Sequence, residues 1–389
     1  ARGVLVGGAV RNAFLGHDVN DWDIATDLEP GAVAALFPKV VRSGEKHGTI
    51  MVLTDSGPVE VTTFRGEGPY LDGRRPSRVV FHGNLEADLA RRDFTINAMA
   101  ADLSAGQMID PFGGQADLRR RRIRCVGEPQ ERFAEDGLRP LRALRFAATL
   151  GFDLDDATAA ALRGAGSTFA QVAVERKRDE LERMLDGSGS NLGYVLGLMQ
   201  KAGFLRALAP ELLDTPAAVV NAMLRLGIGD AWRRFVCWAA GMRLRGDVAA
   251  RILGDWNVPG RLQQACAARV QAIAELPEKA PQHAALRRWV ACARPDHAVV
   301  AARIARLLRG SSYRNFPQRV AAVLDSGNCL SLRDLAVRGD DLARIGLEGP
   351  AVGSVLDRLL DAVLEDPARN QRQALIELAH SFSTAEQRR

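Results

Sequence analysis

The sequence predicts an α+β fold, a head built on a mixed sheet followed by helices only. Three features predict it. Short β-branched and apolar runs, broken by turn signals, are confined to residues 1–126. From about residue 131 onward, apolar residues recur at the period of helices. A chain of 389 residues is also too long for one core, so several domains are expected.

Taken in order, residues 4–6 read as a short strand running into Gly7-Gly8, and residues 9–15 as a helix. Asp21-Trp22-Asp23 reads as strand. Residues 49–53 and 59–64 are β-branched runs around the turn signal Asp55-Ser56-Gly57-Pro58, hence a hairpin. Residues 123–126 read as the last strand. Helical spacing then marks 138–150, 176–185, 192–207, 216–226, 318–324 and 352–364, with breaks at 186–190, 257–260 and 349–350. No strand is expected beyond residue 130. Pro140 either kinks the first of these helices or marks its start.

No stretch approaches the roughly 20 uninterrupted apolar residues of a spanning helix, so no membrane association is expected. Cys125, Cys237, Cys266, Cys292 and Cys329 are scattered and form no CxxC pair, which argues against zinc and disulfides and suits a reducing cytoplasm. The net charge of +5, mostly arginine on the basic side, allows a polyanionic partner without requiring one. The first residues already have the character of a fold interior and carry no signal peptide, which leaves open a missing initiating segment.

Asp21 and Asp23 stand two apart in a strand, so their carboxylates face one side and can reach one point. Such hard oxygen ligands suit Mg²⁺, with a triphosphate supplying further oxygens. Glu60 on the second hairpin strand offers a third carboxylate. Three could hold two metals about 4 Å apart, the arrangement that steadies attacking and leaving oxygens in phosphoryl transfer. An Asp-x-Asp alone is common. Gly7-Gly8 ahead of a helix adds backbone N–H groups that approach phosphates closely, and Arg11 is placed to meet a triphosphate. No Gly-Lys-Ser/Thr follows, so this is not a P-loop.

The run Val6-Gly7-Gly8-Ala9-Val10-Arg11 with Asp21-Trp22-Asp23-Ile24-Ala25-Thr26 resembles the head of polymerase β-type nucleotidyltransferases. More narrowly, it is similar to class II tRNA nucleotidyltransferases and their bacterial poly(A) polymerase relatives. Arg91-Arg92-Asp93-Phe94-Thr95-Ile96-Asn97-Ala98 resembles the family's ribose motif, and Asp110-Pro111-Phe112-Gly113-Gly114 its head–neck connector. Glu135-Asp136-Gly137-Leu138-Arg139 and residues 175–182 resemble the two neck motifs. The resemblance implies a nucleotidyltransferase head at 1–126, a nucleotide-selecting helical neck at 127–190, a helical body at 191–310 and a helical tail at 311–389. It implies Asp21, Asp23 and Glu60 as catalytic, with Mg²⁺ on Asp21 and Asp23. Gly8, Arg11, Arg92, Asp93, Asn97, Asp136, Arg139, Arg142 and Arg145 are implied to bind the nucleotide. An Asp93–Asn97 pair is also an ordinary helix-start device, and Asn12 departs from the Asp usual after this arginine.

Asp136 and Arg139, three apart on a predicted helix, share a face. An acceptor beside a donor matches a base edge with an amine beside a ring nitrogen, found on cytosine and adenine. Guanine and uracil present the reverse order. An intrahelical ion pair is the plainer reading. The expectation is addition of CCA to the tRNA 3′ end from CTP and ATP, the 3′-hydroxyl attacking the α-phosphate and pyrophosphate leaving. Gly44-Glu45-Lys46-His47-Gly48-Thr49 looks like the tRNA enzymes rather than the poly(A) polymerases. Residues 65–78, with Tyr70, Arg74 and Arg75, are similar to the flexible loop of enzymes that add the terminal A. A-only or CC-only addition, poly(A) synthesis and a catalytically silent RNA-binding relative are the alternatives. Later arginines, among them Arg234, Arg287, Arg306 and Arg309, offer charge to an RNA backbone.

Overall fold

The computed structural model describes residues 1–19, 21–65, 84–187, 189, 191–227 and 230–386. The chain divides into two compact units, Ala1–Asp214 and Thr215–Arg389.

The first unit is built on β1 (Gly3–Val6), β2 (Trp22–Thr26), β3 (Val40–Val41), β4 (Thr49–Thr54), β5 (Gly57–Thr63), β6 (Ala100–Asp102) and β7 (Gln107–Ile109). Their order across the sheet is β3-β4-β5-β2-β1-β6-β7, and only β2 and β5 run parallel. The expected hairpin is β4–β5. Helices α1 (Gly8–Leu15), α2 (Pro30–Leu36) and α3 (Leu85–Ala90) belong to the same layer system. Strand alternation sorts the residues. Val4, Val6 and Ala25 are buried with Leu85 and Leu89 of α3, whereas Ile50 and Val61 are buried with Val33 and Ala34 of α2. Asp23 shares the face of Ala25 but is only half-buried, so its carboxylate emerges where that core ends.

The helical part of this unit comprises α4 (Gly114–Arg119), α5 (Pro129–Glu135), α6 (Arg139–Leu150), α7 (Asp156–Ala161), α8 (Gly166–Gln171), α9 (Val174–Gly187), α10 (Leu192–Lys201) and α11 (Phe204–Leu208). Leu141, Leu144 and Ala148, at helical spacing on α6, are buried, as are Leu181, Met184 and Leu185 on α9, and these two helices pack together.

The structure departs from four expectations. The strand expected at 123–126 is only β8 (Arg122–Ile123), and it pairs not with the head sheet but in parallel with β9 (Asp153–Leu154). That partner lies beyond residue 130, where no strand was expected, because two-residue strands carry no period. The helix expected over 192–207 is two helices, broken where Gly203 takes a left-handed φ of 79°. Asp136 and Arg139 do not share a helix: Asp136, extended at φ −139°, ends α5, and Arg139 opens α6. Pro140 marks that start, in the first turn where its missing N–H costs nothing.

The second unit is helical among its described residues: α12 (Ala217–Leu224), α13 (Ala231–Gly241), α14 (Gly246–Asp255), α15 (Gly260–Ala274), α16 (His283–Ala293), α17 (Pro295–Arg309), α18 (Phe316–Asp325), α19 (Gly339–Ala343), α20 (Pro350–Glu365) and α21 (Arg372–Glu386). Several of its arginines serve the fold. Arg287 donates to the Leu364 and Glu365 carbonyls at 2.7 Å each, and Arg309 to those of Ile273 (2.9 Å) and Leu276 (2.8 Å), so both cap helix C-termini. Arg234 is buried. All five cysteines are free. Among the described residues no helix is long and apolar enough to cross a membrane.

Candidate active site

A cleft of about 670 Å³ opens in the first unit. The β1–α1 turn forms one wall with Gly7, Gly8 and Arg11. Gly7 has φ 69°, and a Cβ there would stand 2.8 Å from Arg92 Nη1, so glycine lets the chain turn beside that guanidinium. Asp21, just ahead of β2, and Asp23, within it, enter from the same side, as their spacing required. The ribose-like motif adds Arg92, Asp93 and Asn97, and the helical part adds Asp136, Arg139, Arg142 and Arg145. Twelve residues singled out in the sequence, Gly7 among them, thus line one cleft. Glu60 does not line it. β5 places it opposite Asp23 in register, but its exposed side chain does not join Asp21 and Asp23 in a three-carboxylate cluster. Tyr70, Arg74 and Arg75 lie outside the described residues.

The cleft is a lattice of charge-assisted hydrogen bonds. Asp93 is buried; it accepts from Asn97 at 3.0 Å and from the Phe94 N–H at 2.8 Å, and pairs with Arg142 at 2.6 Å. Burial pushes its carboxyl up, but Arg142 and the Asn97 hydrogen bond outweigh burial and bring it down to about 2. The same pair raises Arg142 above its ordinary value. Arg11 donates to Asn97 Oδ1 at 2.6 Å and to Asn12 Oδ1 at 3.1 and 2.8 Å, so the amide at position 12 still orients this arginine. Burial, then repulsion from Arg145, lowers Arg11 to about 10, which leaves it charged at neutral pH. Arg11, Arg142 and Arg145 surround the Phe146 ring at 5.0, 5.6 and 3.9 Å from its centroid.

Asp136 is held by Arg176 of α9 at 3.0 Å, not by Arg139. Arg139 donates to the Arg132 and Arg91 carbonyls and to Glu135. Of its five N–H donors, three are used, leaving the Nε–H and one Nη2–H. Sequence reasoning missed Phe146 and Arg183 in the lining, and two buried anchors: Asp88, which holds Arg91 and Arg92, and Glu180, which holds Arg142 and Arg145. Phe146, amid its arginines, and Asp88, three and four residues ahead of Arg91 and Arg92, left signals in local spacing; Arg183 and Glu180 left none.

Among the described residues no group of three or more His, Cys, Asp or Glu side chains is arranged to hold a metal by itself. The two aspartates nonetheless suit a hard cation. Burial, then repulsion from Glu60, raises the Asp23 carboxyl, and Arg92 relieves this only in part. A half-buried carboxylate among like charges is stabilised by a divalent ion whose other ligands come from a bound triphosphate.

Three stretches of the chain match known protein families. Residues 4–124 match the family described as the poly A polymerase head domain. Residues 151–215 match a probable RNA- and SrmB-binding site of polymerase A, and residues 230–379 a putative tRNA nucleotidyltransferase domain 2. The CCA-adding enzyme of Bacillus licheniformis is 37% identical over 387 residues, covering 97% of this chain and 94% of that protein. The crystal structure of the Bacillus stearothermophilus CCA-adding enzyme in complex with CTP superposes with a TM-score of 0.84 at 31% identity, covering 100% of this chain and 95% of that one. The Thermotoga maritima CCA-adding enzyme complexed with tRNA shares the fold, with a TM-score of 0.66 at 19% identity and 98% and 91% coverage.

Proposed function

The chain belongs to the CCA-adding family of tRNA nucleotidyltransferases, and from that premise we propose that it adds CCA to the tRNA 3′ end from CTP and ATP without a nucleic-acid template. The observation that carries the reading is the cleft in which Asp21, just ahead of β2, and Asp23, within it, meet Asp136 and the arginines of α6.

The proposed chemistry follows the order of groups along that cleft. Asp136 accepts from the exocyclic amine of cytosine or adenine, while the two remaining Arg139 donors meet the neighbouring ring nitrogen. Guanine and uracil set acceptor against carboxylate and donor against guanidinium, and leave buried groups unpaired. Asp93 and Asn97 meet the ribose, and Gly8, Arg11, Arg92, Arg142 and Arg145 meet the triphosphate. The family works with a divalent metal; we assign Mg²⁺ to Asp21 and Asp23, where it supplies charge neutralisation at the α-phosphate and the leaving pyrophosphate. Glu60, opposite Asp23, is the proposed acceptor for the 3′-hydroxyl proton. Five free cysteines support a reducing cytoplasm as the setting.

The test is incubation with Mg²⁺, single and mixed NTPs, and tRNAs lacking all, part or only the last nucleotide of CCA. Ordered addition of C, C and A that then stops, abolished by Asp21→Ala, is expected. Addition of A alone or of two C residues alone identifies a partial enzyme, and long oligo(A) tails identify a poly(A) polymerase. No incorporation at all identifies a silent RNA-binding relative.

A further inference from the structure

We propose that Arg183 holds the terminal phosphates of the incoming nucleoside triphosphate, at the end of the cleft remote from the base; the inference rests on the nucleotidyl-transfer reading. Six arginines line the cleft. Five are tied to acceptors inside the protein: Arg11 to Asn97, Arg92 to Asp88, Arg139 to Glu135, Arg142 to Asp93 and Arg145 to Glu180. Arg183 is the sixth. It is exposed, and among the described residues no carboxylate or carbonyl holds it.

Its position along α9 decides which part of the substrate it meets. Arg176, Glu180 and Arg183 stand at i, i+4 and i+7, on one face of the helix. Arg176 holds Asp136, the base-reading carboxylate, and Glu180, one turn on, holds Arg142 and Arg145. Along α6, Arg139, Arg142 and Arg145 follow in the same sense. The cleft therefore has a direction: base at Asp136, ribose at Asp93 beside Arg142, phosphates toward Arg145 and Arg11. Arg183 continues this line, about 10 Å along the helix axis from Arg176. Arg11 and Arg145 are fixed against Phe146. Arg183 has all its donors left for phosphate oxygens, which its planar fork matches bidentately.

The experiment compares CTP, CMP and tRNA binding to the full chain as wild type, Arg183→Ala and Arg183→Lys. A lost charge-assisted contact predicts about tenfold weaker CTP binding in Arg183→Ala. CMP and tRNA affinities stay unchanged, and Arg183→Lys restores part of the loss. Arg183 is exposed, so its replacement leaves the packing of α9 untouched, and unchanged CMP binding checks this directly. Equal losses for CTP and CMP, unchanged CTP binding, or weakened tRNA binding with CTP intact each overturn the assignment. A wild-type chain that binds neither CTP nor ATP would instead overturn the nucleotidyl-transfer reading, whatever Arg183 does.

Discussion

At the scale of single residues, Asp93 governs the cleft because it is buried yet charged. Its carboxyl, brought down to about 2 by Arg142 and Asn97 against the upward push of burial, links folding to pH. A carboxyl lower in the folded than in the unfolded chain stabilises the fold above the unfolded value of 3.8, and that contribution fades as pH falls toward 2. The shift corresponds to about 2 kcal/mol at neutral pH. Asp93→Asn is therefore expected to be less stable than wild type by about that amount at pH 7. Urea unfolding at successive pH values should show the gap narrowing between pH 4 and 2; a gap independent of pH would contradict this account. Glu60→Gln tests a different residue. If Glu60 is the proton acceptor proposed above, it affects turnover more than CTP affinity, and the variant should lose at least about tenfold in kcat. Loss of CTP binding with kcat retained would remove Glu60 from the chemistry.

At the scale of elements, the turn between α5 and α6 carries Asp136 and Arg139, the proposed readers of the base. Gly137 lies against α8 so closely that a Cβ would collide with the Thr168 carbonyl. Gly137→Ala must displace the turn, and Asp136 with it. The expected cost is about 1–3 kcal/mol of stability, together with a rise in U and G incorporation relative to C and A in single-nucleotide assays. Gly164→Ala, where a Cβ meets nothing within 4 Å, serves as the control. This turn also shows what a local pattern reveals. The β1–α1 unit, the β4–β5 hairpin and α6 and α9 were legible because apolar residues recur at the period of each element. The carboxylates at 21 and 23 were legible because strand spacing alone puts them on one side. The break between Asp136 and Arg139 was not, because it depends on a neighbour at Thr168 as well as on Pro140. Nor were the partners of the cleft arginines: Arg92 is anchored by Asp88 on its own local segment, but Arg142 and Arg145 meet Glu180 across 38 and 35 residues. Arg183, an exposed arginine on a charged helix, has no sequence pattern that separates it from solvated neighbours.

At the scale of the whole molecule, the charge of +5 is less informative than where the arginines are spent. Arg287 and Arg309 close helix ends, so their charge serves packing. Arg225, Arg303 and Arg306 instead line a second cleft, of about 660 Å³, within the second unit. An RNA backbone neutralised by such side chains releases counterions, so its affinity falls linearly in log–log form as salt rises, more steeply with each phosphate engaged. Binding of tRNA is accordingly expected to weaken much more steeply with salt than binding of CTP, whose proposed contacts lie in the first unit. Removing a backbone-facing arginine lowers the slope by about one. Arg306→Ala is expected to do this without changing CTP affinity. Arg309→Ala should lower unfolding stability, because the carbonyls of Ile273 and Leu276 lose their donor, and leave the salt slope as it was. The reverse pattern, with Arg309 setting the slope and Arg306 silent, would place the RNA on a different face of the second unit.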